Sequence, residues 1–411
     1  MKEILLLGKG ISNNALHQFM LKYSIEHDYL KEDEVIDCNY SLVIKGPGLY
    51  YDTKVLKRFI ELGIEVITDI EFIYWFLNKE YIGITGTNGK TTTTYLITEI
   101  INQKYTAVAC GNCGFPIAQA ALDYKMYKYF VIELSSFQLK GINKFTPKIA
   151  VITNVKQAHL DYHKSIEDYY NSKYNITKNQ NKDDYLVLNV DCEMSTMLFK
   201  DSLAKKITYS LIDKKANCYY DKGRFYYNDS YICSAKILTN KTDTFKYDVM
   251  PAICVAKILN IENKYIIKAL KNFTNIKYRL EEIYPKIYND AKSTNIYSTI
   301  VAINEFKESV FLICGGYDRM EDLSGLDNNL TNISKVFTYG QTSEKVYNFF
   351  NEKEIDVYSF KTLKEATTYA LSIRKNEIIL YSPMFASYDQ YKSYEERGKE
   401  FSLLIKNHFE I

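Results

Sequence analysis

"YIGITGTNGKTTTTYLI", residues 81–97, joins an apolar strand to an amphipathic helix through a loop built from glycine, lysine and threonine. Backbone N–H groups at a helix N-terminus form a ready anion site. Gly86 and Gly89 allow a tight turn with no Cβ in the way. Thr87 and Asn88 lie between them, Lys90 adds a point charge, and the Thr91 or Thr92 hydroxyl can hold the magnesium that travels with a nucleotide. The stretch departs from the G-x-x-x-x-G-K-[ST] spacing at one place, because Ile84 stands where the first glycine belongs. The alternative is an ordinary strand–turn–helix corner with glycine for geometry and threonine for capping. The strand-to-helix context favours a phosphate loop, and with it a nucleoside triphosphate.

Working outward, 411 residues exceed what one hydrophobic core fills and suggest two to four domains. A net charge of +2 creates no field for gathering nucleic acid or an anionic membrane, so small-molecule substrates are expected. No apolar run approaches the ~20 residues a membrane span requires. The apolar core of "MKEILLLGKGISNNAL" is too short for a signal peptide and runs into a glycine turn. Cys110 and Cys113 form a lone C-x-x-C without a second pair, which reads as reduced thiols rather than a zinc site. A cytoplasmic protein, acting as a monomer, is the expectation.

Strands and helices alternate along the chain, the signature of an α/β fold in three parts. Residues 1–79 read as a small Rossmann-like domain: strand "EILLLG", a glycine turn, strand "SLVIKGPG", a helix over 52–62, strand "IEVIT" and helix "DIEFIYWFL". Residues 80–275 read as a central phosphate-loop domain with a mostly parallel sheet, since "KYFVIEL", "KIAVITNV" and "DYLVLNV" are continuous apolar runs suited to buried strands. Within it, 206–247 alternate and read as short antiparallel strands, followed by helices over roughly 248–260 and 263–272. Residues 276–411 read as a second Rossmann-like domain, with "LEEIYPKIYND" as one strand, a helix over 295–306, and strands in "SVFLICGG", "KVFTYG" and "EIILYSP".

Polar clusters fall at strand ends. Glu133 closes "FVIEL" beside the phosphate loop, where a magnesium ligand belongs. Asn154, His159, Asp161 and His163 follow "IAVITN" and concentrate two of the five histidines in one turn. "YNDAKSTN" places Asn289, Asp290, Lys292, Ser293 and Thr294 at a strand-to-helix turn. "CGGYDR" and "SPMFASYDQYKSYEERG" end two further strands, which suggests a crevice for an anionic substrate.

Taken in order, "GITGTNGKTTT", "IELSSFQL", "TNVKQAHLDYH" with "YYNSKYNI", "YNDAKSTN", "CGGYDR" and "SPMFASYDQYKSYEERGKEF" resemble the motifs of the Mur ligases. "LLLGKGISN", "LVIKGPGL" and "CGNCGFP" extend the resemblance over the whole chain, and the final motif is most like that of the D-glutamate-adding member. The resemblance implies an ATP- and Mg²⁺-dependent ligase that joins D-glutamate to UDP-MurNAc-L-Ala through an acyl phosphate, in peptidoglycan precursor synthesis. It implies that Gly86 to Thr92, Arg279 and Asp290 bind ATP, and that Thr91, Glu133, His159 and Lys173 organise metal, Lys173 as a carbamate. It implies catalytic roles for Lys90, His159, Lys173 and Lys292. Gly10, Ile11, Ser12, Gly46, Pro47, Gly48 and Asn112 would meet the UDP-sugar. Lys292, Thr294, Arg319, Ser387, Tyr388 and Tyr394 would hold D-glutamate.

The chain departs from the family pattern in places. Ala158 stands where an aspartate usually precedes the motif histidine. Tyr247, Asp248 and Pro251 replace the adenine-side His-Asn…Asn, Tyr278 replaces a histidine, and Arg319 a frequent lysine. Two other readings stay open at this stage. One is a folylpolyglutamate synthase-like ligase, against which the uridine-nucleotide turns of the first domain argue. The other is a non-catalytic nucleotide-binding relative, supported by Ala158 and the altered adenine motif.

Overall fold

A computed structural model of the chain describes residues 3–36, 39–158, 162–274, 276–319 and 322–410. Among these residues the strands form three sheets. The first is parallel, with β1 (Ile4–Leu7), β2 (Asp28–Leu30), β3 (Leu42–Lys45) and β4 (Glu65–Ile67) in the order β2-β1-β3-β4.

The second sheet holds β5 (Glu80–Thr85), β6 (Ala107–Gly111), β7 (Tyr129–Glu133), β8 (Ile149–Ile152), β9 (Tyr185–Asn189), β10 (Lys205–Ser210), β11 (Cys218–Asp221), β12 (Arg224–Tyr227) and β13 (Ser230–Ser234). Their order is β13-β12-β11-β10-β9-β8-β5-β7-β6. Chain direction places β6 and β7 on one side of β5 and β8 on the other, so the sheet reverses its winding at the carboxyl end of β5. Such a switch point opens a crevice for a ligand. Strands β7 and β8 are buried along their full length, as their apolar runs require.

Two expectations need correcting here. Residues 206–247 are not uniformly antiparallel: β10 pairs parallel with both β9 and β11, and only β11, β12 and β13 form antiparallel pairs. Alternation reports which face of a strand is wet, not the direction in which it pairs. The helix expected from about 248 spans Asp243–Ile258 and carries Pro251 in its interior. The ring there removes a backbone donor from the helix interior.

The third sheet has β14 (Glu281–Tyr284), β15 (Ile287–Asn289), β16 (Val310–Gly315), β17 (Ile333–Tyr339), β18 (Asp356–Phe360) and β19 (Ile378–Tyr381), ordered β14-β15-β19-β16-β17-β18. The stretch "LEEIYPKIYND" is two strands rather than one. It folds back at Pro285 and Lys286 (φ 63°) into an antiparallel pair, while β15 continues parallel to β19.

By its internal contacts the chain divides into two compact units, one of residues 1–241 with 245–273 and the other of 242–244 with 274–411. In the first, a single core joins the first two sheets: Leu6, Ile44 and Ile73 pack in the same cluster as Phe130, Ile132 and Ala150. The second unit is built around two clusters on opposite faces of its sheet, centred on Leu312 and Val336 and on Phe311 and Phe337.

Arg397 is fully buried in the second unit. Its guanidinium donates to the carbonyls of Ala386 (3.0 Å), Ala291 (3.2 Å) and Phe385 (2.8 Å). It thereby pins the "MFAS" loop to the turn after β15. Arg397→Met would leave these carbonyls without a donor in the interior. It is expected to cost about 3 kcal/mol or more, read as a lowered urea midpoint with an unchanged denaturant slope.

Candidate active site

The phosphate loop leaves β5 and enters the helix Lys90–Ile101, whose N-cap Gly89 has φ 81°. The amides of the first turn therefore face the loop, where an anion completes them. Neighbouring strands hold the loop rigid. Asn154 Oδ1 accepts from the Asn88 N–H (3.0 Å), and the Thr153 hydroxyl donates to the Asn88 carbonyl (2.5 Å). The Thr87 hydroxyl donates to Lys156 O (3.0 Å) and meets the buried Tyr169 hydroxyl at 3.0 Å. A Cβ on Gly86 would fall 1.9 Å from Thr153 Oγ1, and one on Gly89 would fall 2.5 Å from Asp248 Oδ1. Gly89→Ala combines that clash with a left-handed backbone. We expect a loss of at least about 1 kcal/mol of stability together with weaker nucleotide binding, measured by thermal shift with and without ADP.

Two lysines converge on one loop carbonyl. Lys90 Nζ donates to Gly86 O and Thr87 O, both at 3.0 Å, and Lys173 Nζ donates to the same Gly86 O at 2.8 Å. Lys173 is 2% exposed, on the helix Ile166–Tyr174, with its amine over the Tyr169 ring. Burial, reinforced by the Lys90 charge, holds its pKa well below the ordinary lysine value. Lys173 thus gives up its proton more readily than an exposed lysine does.

Glu133, 2% exposed at the end of β7, pairs in register with Ile84 of β5. Its Oε1 accepts from Asn112 Nδ2 (2.9 Å), while Oε2 is buried without a hydrogen-bond partner. The Thr92 hydroxyl is likewise buried and unsatisfied. Carboxylate and hydroxyl oxygens with unmet bonding capacity beside a phosphate loop fit a hard cation that keeps several of its waters. Among the described residues there is no group of three or more His, Cys, Asp and Glu that could hold a metal. His159 and Asp161 lie outside the described residues. His163 is buried and bridges Ser136 Oγ (2.9 Å) and Asp168 Oδ2 (3.1 Å), and Lys140 also pairs with Asp168. This network ties the turn that follows Glu133 to the helix that bears Lys173.

At the end of β1, Gly10 caps the helix Ile11–Lys22, with Ile11 exposed and Ser12 partly so. The buried Asn13 donates to Leu7 O (2.8 Å) and Gly8 O (3.0 Å), and Gly46 N–H reaches Leu7 O (2.9 Å), so the turns after β1 and β3 share an anchor. Pro47 is partly exposed and Gly48 exposed.

In the second unit, Tyr278 (φ 64°) and Leu280 (φ 43°) flank Arg279 with left-handed backbone. Strain of this kind collects at functional turns. The turn is held by Leu280 N–H on Asp290 Oδ1 (3.0 Å) and Lys292 N–H on Tyr278 O (3.0 Å). Asp290 is buried, its pKa pushed up to about 6 by burial, and its Oδ2 accepts from Ser382 (2.8 Å). Lys292 Nζ lies 5.4 Å from the Tyr394 ring centroid, and the Arg319 guanidinium 5.4 Å from that of Tyr388. Ser387 is buried beside the exposed Tyr388, and Thr294 is partly exposed.

The altered adenine-side residues sit on the helix Asp243–Ile258. Tyr247 donates to Asp191 Oδ2 (2.9 Å), and Asp248 accepts from Thr93 (3.1 Å) beside the loop. Sequence reasoning did not single out Asn13, Thr153, Tyr169 or Arg397. Thr153, Tyr169 and Arg397 are ordinary residue types made important by partners distant in sequence, and Asn13 by the local turn it closes.

The family described as Mur ligase middle domain matches residues 84–260. A UDP-N-acetylmuramoylalanine–D-glutamate ligase from Lactococcus lactis subsp. cremoris (strain SK11) is 37% identical over 406 residues, covering 96% of this chain and 90% of that protein. One from Oenococcus oeni is 34% identical, covering 99% and 97%. The chain belongs to the Mur ligase family. The fold of this Mur ligase also resembles that of UDP-N-acetylmuramate–alanine ligase from Thermotoga maritima (TM-score 0.64, 17% identity, 99% of each chain). It further resembles the Thermotoga maritima MurF ligase solved in complex with ADP (TM-score 0.63, 15% identity, covering 98% and 95%). Like its relatives, this Mur ligase has three α/β sheet domains with mostly parallel strands. None of its described helices is long and apolar enough to cross a membrane.

Proposed function

We propose that this Mur ligase uses ATP to add D-glutamate to UDP-N-acetylmuramoyl-L-alanine, in the synthesis of peptidoglycan precursors. The observation that carries the reading is the meeting of Lys90 and Lys173 on the Gly86 carbonyl, in a chain matched over nearly its whole length by ligases of that name. Residues 1–79 bind the UDP-sugar through Gly10, Ile11, Ser12, Gly46, Pro47 and Gly48, with Asn112 of the central segment contributing. Residues 80–275 bind ATP, and 276–411 bind D-glutamate.

In the reaction, a carboxylate oxygen of the alanyl group attacks the γ-phosphorus, and the bond from that phosphorus to ADP breaks. The D-glutamate amine then attacks the acyl carbon, the carbon–oxygen bond to phosphate breaks, and a proton is released. Lys90 and the first-turn amides neutralise charge on the transferring group. Thr91 and Glu133 would hold magnesium, with His159 as a further ligand, and the ion would supply further charge neutralisation. Lys173 as a carbamate contributes an anion in place of a buried amine. Lys292, Thr294, Arg319, Ser387, Tyr388 and Tyr394 orient the D-glutamate, and alignment of the two reactants is worth on the order of 7–11 kcal/mol. The reading places the enzyme in the cytoplasm, acting as a monomer with no nucleic-acid or membrane partner.

The test is phosphate release with ATP, Mg²⁺ and UDP-MurNAc-L-Ala, adding D-Glu, L-Glu or L-Lys in parallel. Release that depends on D-Glu is the expected result. No release with any of the three amino acids, despite ADP binding, would overturn the reading in favour of a non-catalytic relative.

A further inference from the structure

Lys45 closes β3 and is fully buried, and none of the roles above uses it. Its ammonium has three donors, and three acceptors surround it: Gly46 O (3.1 Å), Pro47 O (3.2 Å) and the Tyr162 hydroxyl (3.2 Å). Tyr162 in turn donates to Leu49 O (2.9 Å), with Pro47 O at 3.3 Å. The Tyr51 ring centroid lies 4.6 Å from the Lys45 nitrogen. Two side chains thus draw the carbonyls of residues 46, 47 and 49 inward from beneath one turn.

A trans peptide sets its N–H opposite its C=O, and the described chain has no cis peptide. With the Pro47 carbonyl turned inward onto Lys45, the Gly48 N–H of the same peptide faces outward. The preceding peptide offers no donor there, because its nitrogen belongs to Pro47. On that outer side Gly48 is exposed, and a Cβ built on it would meet no heavy atom within 4 Å. The turn therefore presents one backbone donor to open space, beside the anchored turn after β1.

We propose that Lys45 is a positioning residue for the sugar nucleotide, holding the Gly46–Pro47–Gly48 turn so that the Gly48 N–H donates to an oxygen of the bound uridine nucleotide. The inference rests on the UDP-sugar reading of the first 79 residues. It also accounts for a lysine kept in the interior at the expense of its hydration. Burial lowers its pKa to about 7, Asp69 opposes the shift and Lys140 adds to it.

The experiment compares wild type, Lys45→Met and Tyr162→Phe by calorimetric binding of UDP and by steady-state kinetics in each substrate. Lys45→Met is expected to raise the UDP Kd and the KM for UDP-MurNAc-L-Ala roughly tenfold, the size of one hydrogen bond to a charged acceptor. Loss confined to binding leaves kcat within about twofold, with KM for ATP and D-glutamate unchanged. Tyr162→Phe keeps the ring and is expected to weaken UDP binding by a smaller factor. A folded Lys45→Met protein with wild-type UDP affinity would overturn the inference, as would an equal loss for all three substrates. If Lys45→Met fails to fold, an unchanged UDP affinity in Tyr162→Phe overturns it. A wild-type chain that does not bind UDP would sink the nucleotide reading and the inference with it.

Discussion

Lys90→Met should abolish D-glutamate-dependent phosphate release almost completely, with a fall in kcat of roughly 10³-fold, the upper range for removing one preorganised charge-stabilising donor. The side chain already points into the loop, where it donates to Gly86 O and Thr87 O. A bound phosphate chain competes for the same ammonium, so the free enzyme holds the charge in place without long-range reorganisation. The substitution removes the charge but preserves the stem's volume, so the fold should survive. Equal thermal midpoints and a loss mainly in kcat would support the role. A tenfold rise in the KM for ATP with kcat intact would instead limit Lys90 to ground-state binding.

Lys173→Met should be nearly inactive, with kcat down by about 10²–10³-fold, and yet more stable than the wild type. Burial and the neighbouring Lys90 depress the pKa of Lys173. The folded state therefore binds fewer protons than the unfolded chain, whose lysine titrates near 10.5. Folding pays for that difference at neutral pH, and stability gained from Lys173 rises with pH until the unfolded lysine also loses its proton. Replacing a poorly solvated amine by an apolar side chain of similar volume should return about 1–4 kcal/mol, and the pH slope should flatten.

The activity has the same origin. A neutral amine can attack carbon dioxide, forming an N–C bond and losing a proton to give a carbamate. Wild-type activity should fall in buffer stripped of carbon dioxide, recover with bicarbonate, and decline as pH drops through the depressed pKa. Labelled bicarbonate should give a carbamate carbon signal in the wild type that is missing from Lys173→Met. Full activity without carbon dioxide would remove the carbamate from the mechanism while leaving the stability prediction standing.

Several features of the site were legible in the sequence because they rest on local chemistry. A loop of small and hydroxyl residues between a strand and a helix needs no distant partner to bind phosphate. Glu133 could be singled out because a strand of continuous apolar residues ends in one carboxylate. Lys173 could not be read this way. On a helix face a lysine is ordinarily solvated, and only packing against Tyr169 and the Gly86 carbonyl buries this one and lowers its pKa. The same holds for Arg279, whose flanking left-handed residues are not glycines and carry no signal in the text. The single strand expected through Pro285 failed because apolar and polar residues keep alternating across a turn.

The sequence by itself determined the alternation of strands and helices, the phosphate loop and the resemblance to Mur ligases, since these depend on residue type and spacing over a few turns of chain. Tertiary structure alone decided which groups meet: two lysines on the Gly86 carbonyl, Asn112 on Glu133, Asn13 between the turns after β1 and β3, and Lys45 beneath the second of these. The physical reason is that charge, protonation and donor direction are set by neighbours within a few ångströms, and in a wound sheet those neighbours come from residues as far apart as Lys45 and Tyr162.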